Sequence, residues 1–243
     1  MRINRIVLCS GCVICGVALC SGAASAGITI SFSDASGLAG EAEFTLVNAT
    51  TLEVRLQNLS TGAPGGFSNS DQLLTSLAFD LGGLGNTAGD PTITGGTVFT
   101  GASSTTLNFS ITNVGANSDV SGEWGFGNGG TTGFFSHLNY FSANGAGATA
   151  FGATNMDGPD GLDGPQGGLL ANPAVVALGG LGAIQDEVIA TLTLSSGIAD
   201  LSFLSRGVTF EFGSDAAFFD VPAPGVLAML GLAVIAGRRR RRA

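Results

Sequence analysis

The sequence has few residues whose types and spacing could do chemistry, and the clearest set is an acidic, glycine-rich stretch. Residues 157–164 read Asp-Gly-Pro-Asp-Gly-Leu-Asp-Gly and supply Asp157, Asp160 and Asp163. Calcium takes roughly six to eight oxygen ligands, often from loop carboxylates, and glycine allows the tight turns that such loops need. The spacing is not that of an EF-hand loop, so the stretch predicts a candidate calcium site, with a solvated acidic loop as the alternative. No other cofactor is expected.

Two further residues invite a catalytic interpretation, and each also has a structural one. His137 is the only histidine and no Gly-x-Ser-x-Gly motif is present, so a Ser–His–Asp triad would depend entirely on His137. Glu123 stands beside Trp124, an arrangement found in glycosidases, but such enzymes need a second carboxyl across the sugar that the sequence cannot place. We interpret His137 as a histidine on a strand face and Trp124 as a core residue. We therefore expect a protein that is not an enzyme.

The elements around these residues begin with an N-terminal export signal. Arg2 and Arg5 precede an apolar run, and Ala24 and Ala26 supply the small residues that signal peptidase requires at positions −3 and −1. We predict a signal peptide over residues 1–26, cleaved after Ala26. The apolar run is shorter than the roughly 20 residues of a spanning helix, which makes an uncleaved anchor the weaker alternative.

Cysteine usage follows from this signal. All four cysteines lie within it, at Cys9, Cys12, Cys15 and Cys20. Cleavage would leave a mature chain without disulfides, thiolate metal sites or a cysteine nucleophile. The exported body must then rely on its core, or on bound ions, for stability.

The C-terminus carries the most specific pattern, in three parts over residues 221–243. Val221, Pro222, Ala223 and Pro224 come first, an uncharged apolar stretch follows, and an arginine cluster closes the chain with Arg238, Arg239, Arg240, Arg241 and Arg242. The pattern predicts a transmembrane helix over about residues 225–237. The arginines stay on the cytoplasmic side by the positive-inside rule.

The charges are sorted by position. The chain has 9 arginines, no lysine and 18 acidic residues, a net charge of −9. Only Arg55 and Arg206 lie between the two ends, together with all 18 acids, so the body carries −16. Both ends therefore point inward with an acidic body outside. Nucleic-acid binding is excluded because the body has no basic surface to neutralise phosphates.

The C-terminal pattern resembles the PEP-CTERM sorting signal of bacterial surface proteins. The usual motif of that family is Val-Pro-Glu-Pro, and here Ala223 replaces the glutamate. The resemblance implies that an exosortase, a membrane-embedded cysteine transpeptidase, cuts near residues 221–224. The chain would then be held in the inner membrane during processing and transferred to the cell surface or extracellular matrix. A plain membrane anchor is the alternative, since it needs only the helix and its positive flank.

The body over residues 27–220 alternates apolar and polar residues with period two, which predicts an all-β fold: an antiparallel β-sandwich of jelly-roll or Greek-key type with Gly-rich loops. Residues 41–46 and 51–57 form a predicted hairpin around Asn48-Ala49-Thr50. In the predicted strand 208–212, Thr209 and Glu211 are expected to face solvent. Residues 171–178 are the best candidate for a helix. The remaining predicted strands cover residues 73–81, 92–99, 105–114, 133–141 and 187–195.

The body also resembles a set of exosortase-dependent surface proteins through Asp-Gln-Leu-Leu-Thr-Ser-Leu-Ala-Phe-Asp at 71–80, Ser-Gly-Glu-Trp-Gly-Phe at 121–126, Leu-Asp-Gly-Pro-Gln-Gly-Gly-Leu at 162–169 and Gly-Val-Thr-Phe-Glu-Phe-Gly at 207–213. The resemblance implies location and fold, and no activity comes with it. The leading hypothesis is a non-enzymatic surface or extracellular-matrix protein. The alternatives are a carbohydrate-binding module for extracellular polysaccharide and a hydrolase with unseen carboxylate pairs.

Overall fold

The computed structural model describes residues 27–68, 70–82, 89–128, 137–145, 147–153, 155–157, 162, 164–214 and 217–222. The predicted signal peptide and the predicted sorting signal from Ala223 onward lie outside these ranges. The described part of the chain is mostly β, with 44% of its residues in strands and 6% in helical turns, and its sheets are mainly antiparallel, so the all-β prediction is confirmed. Within the same ranges no helix is both long and apolar enough to cross a membrane.

Fourteen strands follow one another along the described chain: β1 (Ile28–Ser33), β2 (Ala39–Asn48), β3 (Thr51–Asn58), β4 (Leu74–Phe79), β5 (Ile93–Thr100), β6 (Thr105–Leu107), β7 (Gly125–Asn128), β8 (Asn139–Ser142), β9 (Thr149–Ala150), β10 (Leu169–Leu170), β11 (Ala183–Gln185), β12 (Glu187–Leu194), β13 (Val208–Phe212) and β14 (Ala217–Val221). Three short 3-10 helices lie at Ser70–Gln72, Ser121–Glu123 and Ser202–Arg206.

The strands form two sheets. The first has the order β1-β2-β3-β12-β5, and the second has the order β6-β11-β10-β4-β8-β7-β9. In the second sheet β13 pairs with β4, and β14 pairs with β13. The strands β10 and β11 pair in parallel. Strand β4 therefore contacts three partners, β8, β10 and β13.

The predicted hairpin is present as β2 and β3. Phe44 pairs with Val54 and both side chains are fully buried, whereas their neighbours along each strand are partly exposed. The backbone N–H of Thr50 donates to Oδ1 of Asn48 at 3.0 Å, which fixes the turn. The alternation of apolar and polar residues and the turn residues were therefore sufficient to predict both strands and the hairpin that joins them.

Phenylalanine side chains of the two sheets meet in one hydrophobic core. The ring of Phe44 in β2 lies 5.3 Å from that of Phe79 in β4, in an edge-to-face arrangement. The ring of Phe32 in β1 lies 5.0 Å from Phe210 in β13 and 4.7 Å from Phe219 in β14. Aromatic pairs at these separations stabilise a core by about 0.5–1.5 kcal/mol beyond the area they bury.

One prediction about exposure was wrong. All five residues of β13 are buried, including Thr209 and Glu211, which were expected to face solvent. The alternation in β13 distinguishes two buried faces of different chemistry. Val208, Phe210 and Phe212 belong to the hydrophobic core, and the opposite face is polar.

Three segments differ from the predicted elements. The strand predicted over residues 105–114 ends at Leu107, because Asn108 adopts the left-handed conformation (φ 63°) that breaks a ladder. Residues 171–178 form bends and no helix, and Gly179 follows with φ 63°. Strand β1 was not predicted at all. Of the predicted strand 133–141, only the part from residue 137 is described, and β8 begins at Asn139.

The contact between the sheets gives a first prediction. Replacing the fully buried Phe79 by alanine should lower the free energy of unfolding by about 3–5 kcal/mol, because the cavity removes contacts to both sheets. Phe99 on the edge strand β5 is 38% exposed and is the matched control. Urea unfolding followed by the fluorescence of Trp124 measures both variants. Equal losses for Phe79→Ala and Phe99→Ala would contradict this account of the core.

Candidate functional site

The central strand β4 positions the polar groups that could do chemistry. All six of its residues are buried. Leu77 and Phe79 belong to the core, and because side chains alternate along a strand, Ser76 and Ala78 face the other side of the sheet. Asp80 follows directly after the strand. Two polar clusters are built on this outer side, one around Asp80 and one around Ser76.

The Asp80 cluster joins three segments of the chain through one carboxylate. Oδ2 of Asp80 lies 2.9 Å from Nδ1 of His137 and 3.1 Å from Nη1 of Arg206, while Oδ1 accepts a hydrogen bond of 2.8 Å from the backbone N–H of Leu138. The Asp80 side chain is 1% exposed. Burial by itself would raise the pKa of Asp80, but the hydrogen bonds from His137 and Leu138 and the positive charges of His137 and Arg206 outweigh it. The pKa of Asp80 is therefore lowered.

This cluster also corrects the interpretation of His137. The residue is buried and precedes β8, which begins at Asn139, so it does not lie on a strand face. Among the described side chains its hydrogen-bond partner is Asp80. The pair has the carboxylate–imidazole geometry of a catalytic triad, but no described hydroxyl completes it. The partner could not be identified from the sequence because it lies 57 residues away.

The second cluster holds the buried carboxylate of Glu211 with neutral donors. The hydroxyl of Ser76 donates to Oε2 of Glu211, and it also lies 2.6 Å from the hydroxyl of Ser142. Nδ2 of Asn144 donates to Oε1 of Glu211 at 3.3 Å. Burial, together with the charge of Glu211, raises the pKa of the Tyr140 phenol. Hydroxyl and amide donors at these positions hold a charge inside the protein and join β4, β8 and β13.

A surface pocket of about 480 Å³ lies near the Asp80 cluster. Its lining combines two carboxylates, two hydroxyls and apolar side chains: Leu81, Asp90, Pro91, Ile198, Asp200, Ser202, Phe203 and Ser205, with Gly82, Gly197 and Ala199 between them. A Cβ at Gly82 would lie 2.1 Å from the carboxyl carbon of Asp90. Any side chain at residue 82 would therefore displace this wall of the pocket.

Glu123 and Trp124 are both buried. Oε1 of Glu123 accepts a hydrogen bond from the backbone N–H of Met156, and the ring of Trp124 lies 5.6 Å from that of Phe141. This arrangement agrees with the core-packing interpretation. It places the Glu123 carboxylate against the backbone of Met156.

Of the calcium candidates, the structure describes Asp157 alone, and Asp160 and Asp163 fall in gaps of the described ranges. Oδ1 of Asp157 accepts a 2.9 Å hydrogen bond from the backbone N–H of Ser110, and its Oδ2 is buried with no hydrogen-bond partner among the described residues. Within those residues no group of three His, Cys, Asp or Glu side chains is placed to hold a metal ion. Calcium binding stays a prediction.

The predicted sorting motif starts inside the fold. Val221 is the last residue of β14 and pairs with Val208 in β13. Its carbonyl oxygen passes Gly207 so closely that a Cβ there would lie 2.3 Å away, and Gly207 has φ 83°. Pro222 is the last described residue. Ala223, Pro224 and the arginine cluster 238–242 are not described, and neither are Ala24 and Ala26 at the predicted signal cleavage site.

Comparison with known proteins identifies no relative of this chain. No family model matches its sequence, and no curated protein or solved structure matches it.

The Asp80 cluster gives a second prediction. Asp80→Asn should lower the free energy of unfolding at about pH 7 by about 3–5 kcal/mol, because it leaves the guanidinium of Arg206 without its counter-charge and weakens the hydrogen bond to His137. A carboxyl whose pKa is lowered in the folded state stabilises above its unfolded pKa, near 3.9, and loses that contribution as the pH falls through the folded pKa. The difference between wild type and Asp80→Asn should therefore shrink below about pH 4.

Urea unfolding at a series of pH values measures this effect. Glu53→Gln, the same chemical change on a partly exposed residue of β3, is the control and should change stability by about 0.5 kcal/mol or less. If Asp80→Asn lowers the free energy of unfolding by the same amount at every pH, the charge of Asp80 does not contribute to stability and this prediction is wrong.

Proposed function

We propose that this chain is an exported, non-enzymatic protein of the bacterial surface or extracellular matrix, released from the inner membrane by an exosortase that acts on its C-terminal signal. Signal peptidase would remove residues 1–26 first. The body would then stand outside the membrane until the motif at Val221–Pro222–Ala223–Pro224 is cut.

The observation that carries this proposal is the position of the fold between the two predicted signals. Strand β1 begins at Ile28, two residues after the predicted signal cleavage at Ala26. Strand β14 ends at Val221, the first residue of the predicted sorting motif. The folded body thus fills the interval between the predicted signal peptide and the predicted sorting signal with almost no linker. This is the arrangement expected of a precursor whose ends are removed after export.

We further propose that the two sheets stack as a β-sandwich. The support comes from the contacts that cross between them, Phe44 with Phe79 and Phe32 with Phe210. The main strand pairs of both sheets are antiparallel, as in the sandwiches of many surface proteins.

The non-enzymatic part of the proposal rests on how the buried ionisable groups are used. Asp80 and His137 bond to each other, and Asp80 also bonds to Arg206. Glu211 is held by Ser76 and Asn144. Each of these carboxylates is held by contacts that join strands and loops, which supports a structural role for both clusters.

Intact-mass spectrometry of the protein taken from the cell surface tests the sorting proposal. The expected mature chain begins at Gly27 and ends between Val221 and Pro224, without the five arginines. Replacing both Pro222 and Pro224 by alanine should keep the tail attached and retain the chain in the membrane fraction. Arg239→Ala alone should leave processing intact, because four arginines remain. Surface protein that still carries the arginine cluster would refute the proposal.

A second candidate function, binding of extracellular polysaccharide, is favoured by the pocket beside Asp80. Its volume of about 480 Å³ falls within the usual range for small-ligand sites. Its mixture of carboxylates, hydroxyls and one phenylalanine offers hydrogen bonds to sugar hydroxyls and an apolar surface for a sugar ring.

A glycan array with the purified body tests this second candidate. If the pocket binds a glycan, Gly82→Ala should abolish that signal, because its Cβ would displace the Asp90 carboxyl. Gly65→Ala is the matched control, since a Cβ there meets no atom within 4 Å. The absence of any reproducible glycan signal, or a signal that survives Gly82→Ala, would count against the pocket as a polysaccharide site.

A further inference from the structure

We infer that, before the C-terminal signal is cut, one defined end of the body rests on the membrane surface, with the turn between β2 and β3 facing the lipid. This inference rests on the proposed function, because the membrane helix over about residues 225–237 belongs to that proposal. Three features support it: where the chain ends leave the fold, how long the tether is, and what projects beside it.

The first and last strands share one end of the body. Ile28 at the start of β1 pairs with Phe44, whose ring lies 5.3 Å from that of Phe79 in the other sheet. Phe79 pairs with Val208, and Val208 pairs with Val221 at the end of β14. Paired residues lie side by side across a ladder, so they share one position along the strand direction. The start of β1 and the end of β14 therefore lie at the same end of the strands.

A second row of contacts fixes the direction of the two strands. Phe32, four residues after Ile28, stacks on Phe219, two residues before Val221, at 4.7 Å. Moving forward along β1 therefore moves backward along β14. The chain enters and leaves the body at the same end, which we call the near end.

The tether between the near end and the predicted helix is short. Val221 is still paired with Val208, and three residues, Pro222, Ala223 and Pro224, separate it from Gly225. Fully extended, three residues span about 10–11 Å. Two prolines also restrict how freely the body can swing on this tether.

The hairpin of β2 and β3 projects from the near end by about the same distance. Strand β2 continues for four residues past Phe44, to Asn48, which is about 13 Å at the usual rise per residue. The turn is braced, because the backbone N–H of Ile198 donates to the carbonyl oxygen of Ala49 at 2.8 Å. Val47 beside the turn is 56% exposed. The braced hairpin projects about as far as the tether extends. It therefore reaches the lipid headgroups when the predicted helix is in the membrane.

The charges at this end do not favour adsorption to anionic lipid. Asp90 and Asp200 line the pocket there, and Arg206 is engaged with Asp80. An acidic surface is repelled by an anionic membrane, so the covalent tether alone keeps the near end on the lipid. Cutting the tether therefore releases the body.

Matched cysteine variants test this geometry, because the predicted mature chain contains no cysteine. Ala49→Cys lies in the turn after β2 and Ala35→Cys lies in the turn before it; both positions are exposed, and the strand between them is about 30 Å long. The precursor without its signal peptide, residues 27–243, is labelled with a fluorophore and reconstituted into phosphatidylcholine and phosphatidylglycerol vesicles. Lipid carrying a headgroup nitroxide should quench Ala49→Cys at least about threefold more than Ala35→Cys.

A linker variant tests whether the short tether causes the stronger quenching expected at Ala49→Cys. About twelve Gly and Ser residues inserted between Val221 and Pro222 add roughly 20 Å of mean reach, and should reduce quenching at Ala49→Cys to the level of Ala35→Cys. Co-flotation with the vesicles is measured in parallel. Chain that floats with the vesicles but is quenched equally at both positions overturns this inference and leaves the proposed function standing. Chain that does not float overturns the membrane stage of the proposed function and this inference together.

Discussion

The structure depends above all on the contact between the phenylalanines of its two sheets. The mature body is expected to contain no cysteine, so no disulfide joins β1–β3 to β4, β13 and β14. Phe44 packs against Phe79 in one row of this contact, and Phe32 packs against Phe210 and Phe219 in another. These rows also determine that the chain begins and ends at one end of the body. The same packing that stabilises the fold thus orients it relative to the membrane in the proposed precursor.

The polar outer face of β4 and its neighbours imposes a second constraint. Ser76 and Glu211 on this face are buried, and a buried carboxylate is costly unless donors surround it. The hydroxyl of Ser76 and the amide of Asn144 donate to the Glu211 carboxylate, the hydroxyl of Ser142 lies within hydrogen-bond distance of Ser76, and Asp80 at the end of the face bonds to Arg206 and His137. Directional bonds of this kind align strands that apolar packing alone would hold less specifically.

The sequence was sufficient where structure is local. The β2–β3 hairpin could be predicted because alternation and turn residues act within about fifteen residues. The burial of Glu211 could not be predicted, because alternating apolar and polar residues separate the two faces of a strand without showing whether the polar face contacts solvent. The partner of His137 could not be predicted either, since Asp80 is brought to it by the pairing of β4 with β8. Strand β6 ends because Asn108 adopts a left-handed backbone conformation, which the alternation of apolar and polar residues does not indicate.

The two arginines of the body limit where trypsin-like peptidases could cut it. Peptidases that cut after basic residues would find Arg55 and Arg206 as their sole targets in the body, because it contains no lysine. Arg55 lies within β3, between β2 and β12, and its side chain bonds to Glu187. Arg206 is held by Asp80 at 3.1 Å. Since proteolysis needs an exposed and flexible segment, the bond after Arg55, inside a strand with partners on both sides, is protected while the body stays folded. The shortage of basic residues thus leaves trypsin-like enzymes few bonds to cut in the body.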